Sequence, residues 1–340
     1  MPPADAAALP DEERSPLTEV LDLLSTDEQR RTRIAWLYYV EGMTQAEIAG
    51  RLGVSRVKVV RDLQVGRQSG LVQIQINGRL ASCVALERRL ERRFGLREAV
   101  VVPTPADPGN LPATLGIALG TWLTDRLRPG QTIGVGWGRT LHWSVRALRR
   151  RDVTGLTVVA LLGGIGRGSE INMYETASRV AETLGAQCYY LAAPAFAGSA
   201  ALRAMLLDQA GLREILGRAR HADMALVSVG TLGPAATNRR IGLLGDAEAA
   251  ELAAAGAVGD LLCTFLDAEG RAVDHPLNAC AVGLPVADLA ALPATVLTSG
   301  GAEKVPIIRA ALVGRYVNHL ITDEDTAEAL VRAANAAGGL

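Results

Sequence analysis

A glycine-rich stretch near the middle of the chain has the residue types and spacing of an anion-binding turn. Gly136 and Gly138 stand directly before Arg139 and Thr140. Glycines leave backbone N–H groups open to a ligand, an arginine pairs with phosphate or carboxylate, and a threonine hydroxyl adds a further donor. An apolar strand precedes this turn and a helix follows it, which is an arrangement that suits a phosphate.

The same kind of loop recurs twice further along the chain. Both copies follow predicted strands and combine glycines with polar or charged side chains: Gly163, Gly164, Arg167 and Asn172 in one, and Gly300, Gly301 and Lys304 in the other. One such loop is a weak indication, because glycine turns between strands and helices are common. Three at successive strand ends favour a ligand site, since ligands of open α/β sheets bind at the carboxyl ends of strands.

Considered alone, each of two charged residues in this region could have an ordinary structural role instead of a role in ligand binding. Lys304 is equally typical of a solvated surface cation, and Asp260, in AVGDLL, of a turn acid or a helix cap. Nucleotide binding is disfavoured, because GVGWGRT lacks the third glycine of a dinucleotide fingerprint and no GxxxxGK[ST] motif occurs. We therefore predict no cofactor.

A second chemistry is encoded at residues 44–63, TQAEIAGRLGVSRVKVVRDL. Ile48, Ala49 and Leu52 form an apolar face at helical spacing, Gly53 suits a tight turn, and Ser55 stands where the N-cap of a second helix belongs. This pattern predicts a helix-turn-helix, whose second helix enters the major groove of DNA. The alternative is an ordinary helical hairpin, which needs the same apolar pattern.

Local charge favours the DNA-binding interpretation. Residues 25–80 carry nine basic and five acidic side chains, a net charge of +4, although the whole chain has a net charge of −1. DNA affinity must therefore come from this module. The residues predicted to contact DNA are Thr44, Gln45, Ser55, Arg56, Lys58, Val59 and Arg61.

Composition sets the broad class of the protein. The chain has 340 residues, of which 49% are hydrophobic and 21% charged. Its four cysteines are widely separated, which argues against a disulfide framework or a metal site. Neither a signal peptide nor an apolar run of membrane-spanning length is present, so we predict a cytoplasmic protein without a membrane partner.

The elements that position both sites follow from the order of the patterns. We predict a disordered acidic tail at residues 1–16, a helix-turn-helix domain at 17–80 with a wing strand at 71–76, and an effector and oligomerisation domain at 81–340. Strand-like runs alternate with helices in the third segment. The fold class is α/β: an all-α, winged helix-turn-helix domain followed by a doubly wound, mostly parallel sheet covered by helices.

The chain resembles the SorC family of bacterial sugar-responsive transcriptional regulators over about residues 26–332. The helix-turn-helix and GVGWGRTL carry this resemblance together with CYYLAAPAF, GAVGDLLCTFLDAEGR and GGAEKVPIIRAALVGRYVNHLITDEDTA. It implies an effector domain similar to glucosamine-6-phosphate deaminase and ribose-5-phosphate isomerase, and a tetramer that binds operator DNA. The effector-site residues it implies are Gly136, Gly138, Arg139, Thr140, Gly163, Gly164, Arg167, Asn172, Asp260 and Lys304.

The leading hypothesis is therefore a DNA-binding regulator of a carbohydrate or polyol operon. Its expected partners are double-stranded operator DNA, a sugar or sugar-phosphate effector, and further copies of the chain. The alternative is a sugar-phosphate isomerase or deaminase with an added DNA module. Such an enzyme needs a positioned acid or base, for which His142 is the nearest histidine, or a Schiff-base lysine, for which Lys304 is the candidate.

Overall fold

A computed structural model of the chain describes residues 26–39, 41–69, 71, 79–149, 153–165 and 173–337. The chain divides into two compact units, Met1–Ile76 and Asn77–Leu340. The predicted tail at residues 1–16 and all but the first residue of the wing strand at 71–76 lie outside the described residues. None of the described helices is long and apolar enough to cross a membrane.

The first unit contains the predicted helix-turn-helix. Its helices are α1 (Thr26–Tyr39), α2 (Gln45–Leu52) and α3 (Arg56–Gln68). A capping box starts α2, because Glu47 N–H donates to the Thr44 hydroxyl while Thr44 N–H donates to the Glu47 carboxylate. Gly53 then ends α2 with a φ of 64°, a conformation that glycine adopts without strain. These local signals fix the turn between the two helices.

The recognition helix α3 is held against α1 by apolar and ionic contacts. Ile34, Ile48 and Val59 are fully buried in the small core of the unit. Asp62 is also buried, and it accepts a hydrogen bond of 3.0 Å from Arg30 Nε. The pairing of a buried carboxylate with a guanidinium fixes the orientation of α3, since an unpaired charge there would be strongly disfavoured.

The second unit is built on a seven-stranded sheet in which every pairing is parallel. The strand order is β1-β10-β9-β5-β2-β3-β4. Their bounds are β1 (Glu98–Val102), β2 (Thr132–Val135), β3 (Thr157–Gly164), β4 (Gln187–Pro194), β5 (Met224–Val227), β9 (Ala294–Thr298) and β10 (His319–Asp323). This arrangement confirms the predicted mostly parallel α/β fold.

A second, antiparallel sheet was not anticipated. It consists of β6 (Val229–Gly230), β7 (Gly259–Leu261) and β8 (Thr264–Leu266). The apolar run at residues 261–266 predicts a single strand, and that prediction is wrong. Leu262 and Cys263 have φ values of 48° and 57°, so the chain reverses between them and forms a hairpin. Their apolar side chains gave no sign of this turn, which usually uses glycine or asparagine.

Helices cover both faces of the parallel sheet. They are α4 (Arg79–Phe94), α5 (Leu111–Arg126), α6 (Arg139–Ser144), α7 (Met173–Leu184), α8 (Ala200–Leu207), α9 (Ala210–Arg220), α10 (Thr237–Arg240), α11 (Asp246–Ala254), α12 (Pro276–Cys280), α13 (Val286–Leu289), α14 (Val305–Val313) and α15 (Glu324–Ala337). One face packs α5 and α7 against the strands. The opposite face packs α4, α14 and α15. The carboxyl ends of the strands stay open to loops, where a ligand site is expected.

Helix α4 seals the β1 edge of the sheet. The Glu91 carboxylate accepts a hydrogen bond from Ala99 N–H at 3.2 Å, and the Glu87 carboxylate accepts one from Val101 N–H at 2.9 Å. Burial raises the pKa of Glu87, while its bond to Val101 N–H opposes that rise. Two carboxylates one helical turn apart thus satisfy two outward N–H groups of the edge strand, which protects the edge and anchors α4.

Candidate effector site and DNA-binding surface

A cavity of about 250 Å³ lies where the loops after β2, β5 and β9 meet. Side chains from five segments line it, and the charged and polar ones are Arg139, Thr140, Ser228, Thr231, Thr237, Asn238, Asp260, Glu303 and Lys304. Leu111, Pro112 and Leu115 of α5 form an apolar part of the wall. The combination of an apolar wall with a few convergent polar groups is typical of a small-molecule site.

The loop after β2 provides one wall of the cavity. Gly136 N–H donates to the Leu226 carbonyl at 2.9 Å, which ties the loop to β5. Gly138 has a φ of 123°, so a side chain there would be strained, and α6 starts at the next residue. Thr140 is only 3% exposed and borders the cavity, while the longer Arg139 is exposed. This turn thus places a guanidinium and a hydroxyl together.

Asp260 provides a buried acidic group in the cavity wall. It is 3% exposed and lies on β7 opposite Gly230, whose missing side chain makes room for the carboxylate. Cys263 N–H donates to Asp260 Oδ2 at 3.1 Å, and Asn238 Nδ2 donates to Oδ1 at 3.4 Å. Burial raises the pKa of Asp260 to about 6, although the Cys263 bond and the charge of Lys304 both oppose this rise.

The hairpin beside Asp260 has a strained backbone. Leu262 and Cys263 both adopt a left-handed conformation that costs a non-glycine residue about 1–3 kcal/mol. Their side chains are buried, and the hydrogen bond from Cys263 N–H to Asp260 holds the turn. The strain therefore lies directly behind an acidic group of the cavity, which is where such conformations concentrate in functional proteins.

Lys304 enters the cavity from a short 3-10 turn, Ala302–Lys304, after β9. Burial lowers the pKa of Lys304, and the positive charge of Arg139 lowers it further, while Glu303 and Asp260 act in the opposite direction. The turn itself is fixed because Gly301 N–H donates to the Thr326 hydroxyl at 2.8 Å. Two cations therefore face the same small space and repel each other.

The structure brings together only part of the predicted effector site. Gly138, Arg139, Thr140, Asp260 and Lys304 all line the cavity, although they come from three separate parts of the sequence. Arg167 and Asn172 lie outside the described residues and stay predictions.

Three predicted glycines do not line the cavity and instead support the backbone. Gly136 N–H donates a hydrogen bond to the Leu226 carbonyl of β5. Gly163 N–H donates to the Val282 carbonyl at 2.9 Å, and Gly164 N–H donates to the Tyr174 hydroxyl at 3.1 Å. A Cβ atom at Gly163 would collide with the Pro194 carbonyl, and one at Gly164 with the Tyr174 ring. Close packing is therefore a sufficient reason for glycine at these positions.

Sequence analysis missed the loop that follows β5. It contributes Ser228, Thr231, Thr237 and Asn238 to the cavity wall, and Asn238 is almost fully buried beside Asp260. The stretch SVGTLGPAATN contains two glycines, three hydroxyl residues and an asparagine directly after a strand. That composition was the available signal, but it includes no cation of the kind that drew attention to the other loops.

The predicted DNA-binding residues divide into exposed and structural groups. Arg56, Lys58 and Arg61 are exposed on α3. Val59 is fully buried in the core, so its side chain cannot contact DNA and that prediction is wrong. Ser55 caps α3, since Lys58 N–H donates to its hydroxyl at 3.2 Å.

Two further members of the predicted DNA-binding set lie at the start of α2. Thr44 caps α2, as described above, and Gln45 is half-buried at the start of that helix. Lys58 is close enough to Asp27 of α1 to help lower its pKa, after the larger effects of Arg30.

Comparison with known proteins identifies the family. The Sugar-bind family of sugar-binding domains matches residues 78–332. Transcriptional regulator LsrR of Enterobacter sp. strain 638 is 37% identical over 315 residues, covering 91% of this chain and 94% of its own. The full-length sorbitol operon regulator SorC of Klebsiella pneumoniae has 31% identity and a TM-score of 0.69, covering 90% of this chain and 100% of its own. This chain belongs to the SorC family of transcriptional regulators.

Another SorC-family relative supports the same class. The erythritol catabolism regulatory protein EryD of Brucella abortus is 33% identical over 311 residues, covering 91% of this chain and 98% of its own. Because these relatives are regulators along nearly their whole length, the chain is a transcriptional regulator and the enzyme alternative is not supported. Of the two residues that the enzyme alternative would use, His142 is not among the residues that line the cavity, whereas Lys304 is.

Proposed function

We propose that this SorC-family regulator binds a phosphorylated sugar or polyol in the cavity. Binding of that ligand changes the affinity of the protein for the operator DNA of a carbohydrate or polyol catabolic operon. The observation that carries the proposal is that two cations, Arg139 and Lys304, line the same small cavity. Arg139 repels Lys304, the nearby carboxylates of Glu303 and Asp260 act against that repulsion, and burial keeps the pKa of Lys304 lowered. A phosphate bound between the two cations would relieve that repulsion and accept charge-assisted hydrogen bonds.

The remaining lining residues suit the hydroxyl end of the same ligand. Asp260 and Asn238 are buried in the cavity wall, and both carry atoms that bind hydroxyl groups. A volume of about 250 Å³ falls at the small end of ligand sites, below the size that drug-like molecules need. The cavity therefore favours a single sugar or polyol unit over an oligosaccharide or a dinucleotide.

Control of transcription requires more than ligand binding. The effector must bind one arrangement of the protein better than another, because a ligand of equal affinity for both would shift nothing. The loop that carries Lys304 is a suitable element, since its backbone is bonded to α15 through Thr326. Ligand contacts with Lys304 would thereby act on a helix outside the cavity.

A thermal-shift screen of the full chain tests the proposal. Sugar phosphates and polyol phosphates are run beside their unphosphorylated parents. A ligand at about 100 times its dissociation constant adds about 2.7 kcal/mol of stability, which corresponds to a shift of roughly 5–10 °C for a domain of this size. We expect a phosphorylated compound to give the largest shift and its parent sugar a much smaller one.

Inorganic phosphate and an unrelated anion such as sulfate, at matched ionic strength, control for general salt effects. Equal shifts from the sugar phosphate and from inorganic phosphate would show that the hydroxyl end contributes nothing. If the parent sugars stabilise the protein as strongly as their phosphates, the phosphorylated effector is wrong.

We further propose that the regulator is a homo-tetramer that acts in the cytoplasm. A single recognition helix reads few base pairs, so useful specificity requires at least two helices on adjacent half-sites. Sedimentation velocity of the full chain without DNA should give a mass near four times 35.7 kDa. A monomer that persists at micromolar concentration would contradict this assembly.

A further inference from the structure

An apolar patch interrupts the charged surface of the recognition helix. Val57 is 77% exposed and Val60 is 42% exposed, both within the first five residues of α3. Together with Arg61 and Gln64, which are also exposed, they follow the spacing i, i+3, i+4 and i+7 of one helical face. Val59, Asp62 and Leu63 occupy the buried face of the same helix.

A partner that covers these two valines must offer an apolar group to them. Scattered exposed apolar residues are ordinary, but these two are neighbours on one helical face, with Arg56 and Arg61 beside them. The arginines complement the phosphates of a duplex. In a helix-turn-helix, residues at the start of the second helix contact base edges in the major groove.

We propose that Val57 and Val60 read thymine methyl groups and thereby help to set the operator sequence. The 5-methyl group of thymine is the apolar feature of the major groove, and small apolar side chains contact it directly. Arg61 on the same face is placed to reach a base edge or a phosphate nearby. Lys58 does not belong to the face formed by Val57, Val60, Arg61 and Gln64, so a role at phosphate suits it better than base reading. The inference rests on DNA binding by α3, as in the proposed function.

The experiment replaces thymine by uracil, which removes the methyl group and leaves base pairing unchanged. The full-length protein first selects its preferred duplex from a random library. That duplex is then synthesised with uracil at one thymine position at a time, and binding is measured by fluorescence anisotropy at fixed salt. We expect affinity to fall about fourfold at each contacted position, which corresponds to about 0.8 kcal/mol for one buried methyl group.

Val57→Ala and Val60→Ala complete the test as thermodynamic cycles. Each variant should bind the thymine duplex more weakly and lose the difference between thymine and uracil at its own position. Val313→Ala is the matched control, because that valine is 41% exposed on α14 of the other unit. It should keep the full thymine preference.

The outcomes separate this inference from the function on which it rests. If no sequence is enriched, DNA binding itself fails, and the inference fails with it. If a sequence is enriched but uracil is tolerated at every position, or both valine variants keep the thymine preference, only the inference is overturned. A change of oligomeric mass in the valine variants, with thymine preference intact, would assign the patch to contact between copies and would also overturn it.

Discussion

Replacing Lys304 by alanine is expected to lower the affinity for a phosphorylated effector about 10- to 100-fold, with little effect on the unphosphorylated parent. The lysine lines a cavity in which its charge is partly desolvated, and burial lowers its pKa. A hydrogen bond to a charged group in such surroundings contributes about 1.5–3 kcal/mol. Isothermal titration of the best compound from the screen measures the change directly.

The expected result is a loss of discrimination, so phosphate and parent must be titrated against the same variants. Lys304→Arg keeps the positive charge but changes its geometry, and it should recover part of the phosphate preference. Glu303→Gln, at the adjacent exposed position, removes a neighbouring charge without removing the cation. Equal loss of affinity for sugar and sugar phosphate in Lys304→Ala would contradict a phosphate contact at this residue.

Operator binding without effector provides a second control for Lys304. The lysine belongs to the unit formed by residues 77–340, and the recognition helix belongs to the other. Lys304→Ala should therefore bind the selected duplex as the natural chain does. Its defect should emerge only when the effector is added.

The elements with strong local signals could be predicted from the sequence. Thr44, Gly53 and Ser55 define the helix-turn-helix because capping and a left-handed turn depend on residues that are close in sequence. The parallel sheet follows likewise from the alternation of apolar strands and helices. The same reasoning failed for the hairpin at Leu262 and Cys263, whose left-handed turn is imposed by burial and by the hydrogen bond to Asp260 rather than by the residue types.

Charged residues beside glycines predicted two of the loops that form the site. Arg139 and Lys304 drew attention to two loops that do meet at the cavity. Gly163 and Gly164 looked equivalent, yet contacts with Pro194 and Tyr174 account for the absence of side chains there. Whether a glycine serves a ligand or a neighbouring strand depends on the tertiary contacts, which a single sequence does not display.

The contacts around Lys304 suggest how occupancy of the cavity is passed on within the second unit. Beyond the Gly301–Thr326 hydrogen bond, Asp323 caps the start of α15 by accepting from Thr326 N–H at 3.3 Å. Arg93 of α4 then donates to the Ala334 carbonyl near the end of α15. Helix α4 is the first described element of this unit, directly after the DNA-binding unit in the sequence. A shift of the Lys304 loop would therefore reach α4 through one helix.

The difference in free energy of unfolding between the natural chain and Asp260→Asn is expected to change by up to about 3 kcal/mol with pH. Burial raises the pKa of Asp260 to about 6 from an ordinary value of 3.8, so the folded state binds its proton more tightly than the unfolded state. Folding is therefore favoured by this group at pH 4, and that advantage is lost as the pH rises through 6. The difference between natural chain and variant should fall steadily across this range and level off above it.

Urea unfolding at half-unit steps from pH 4.5 to 7.5 measures that difference, with other titrating groups cancelling between the two proteins. Asp246→Asn is a matched control, because this carboxylate is exposed at the start of α11 and is not among the residues that line the cavity. A pH-independent difference for Asp260→Asn would mean that the buried carboxylate keeps an ordinary pKa. In that case, raising the pH through 6 would not change the affinity for a ligand whose hydroxyls donate to the ionised Asp260. A raised pKa instead predicts that an uncharged polyol binds more tightly above pH 6 than below it.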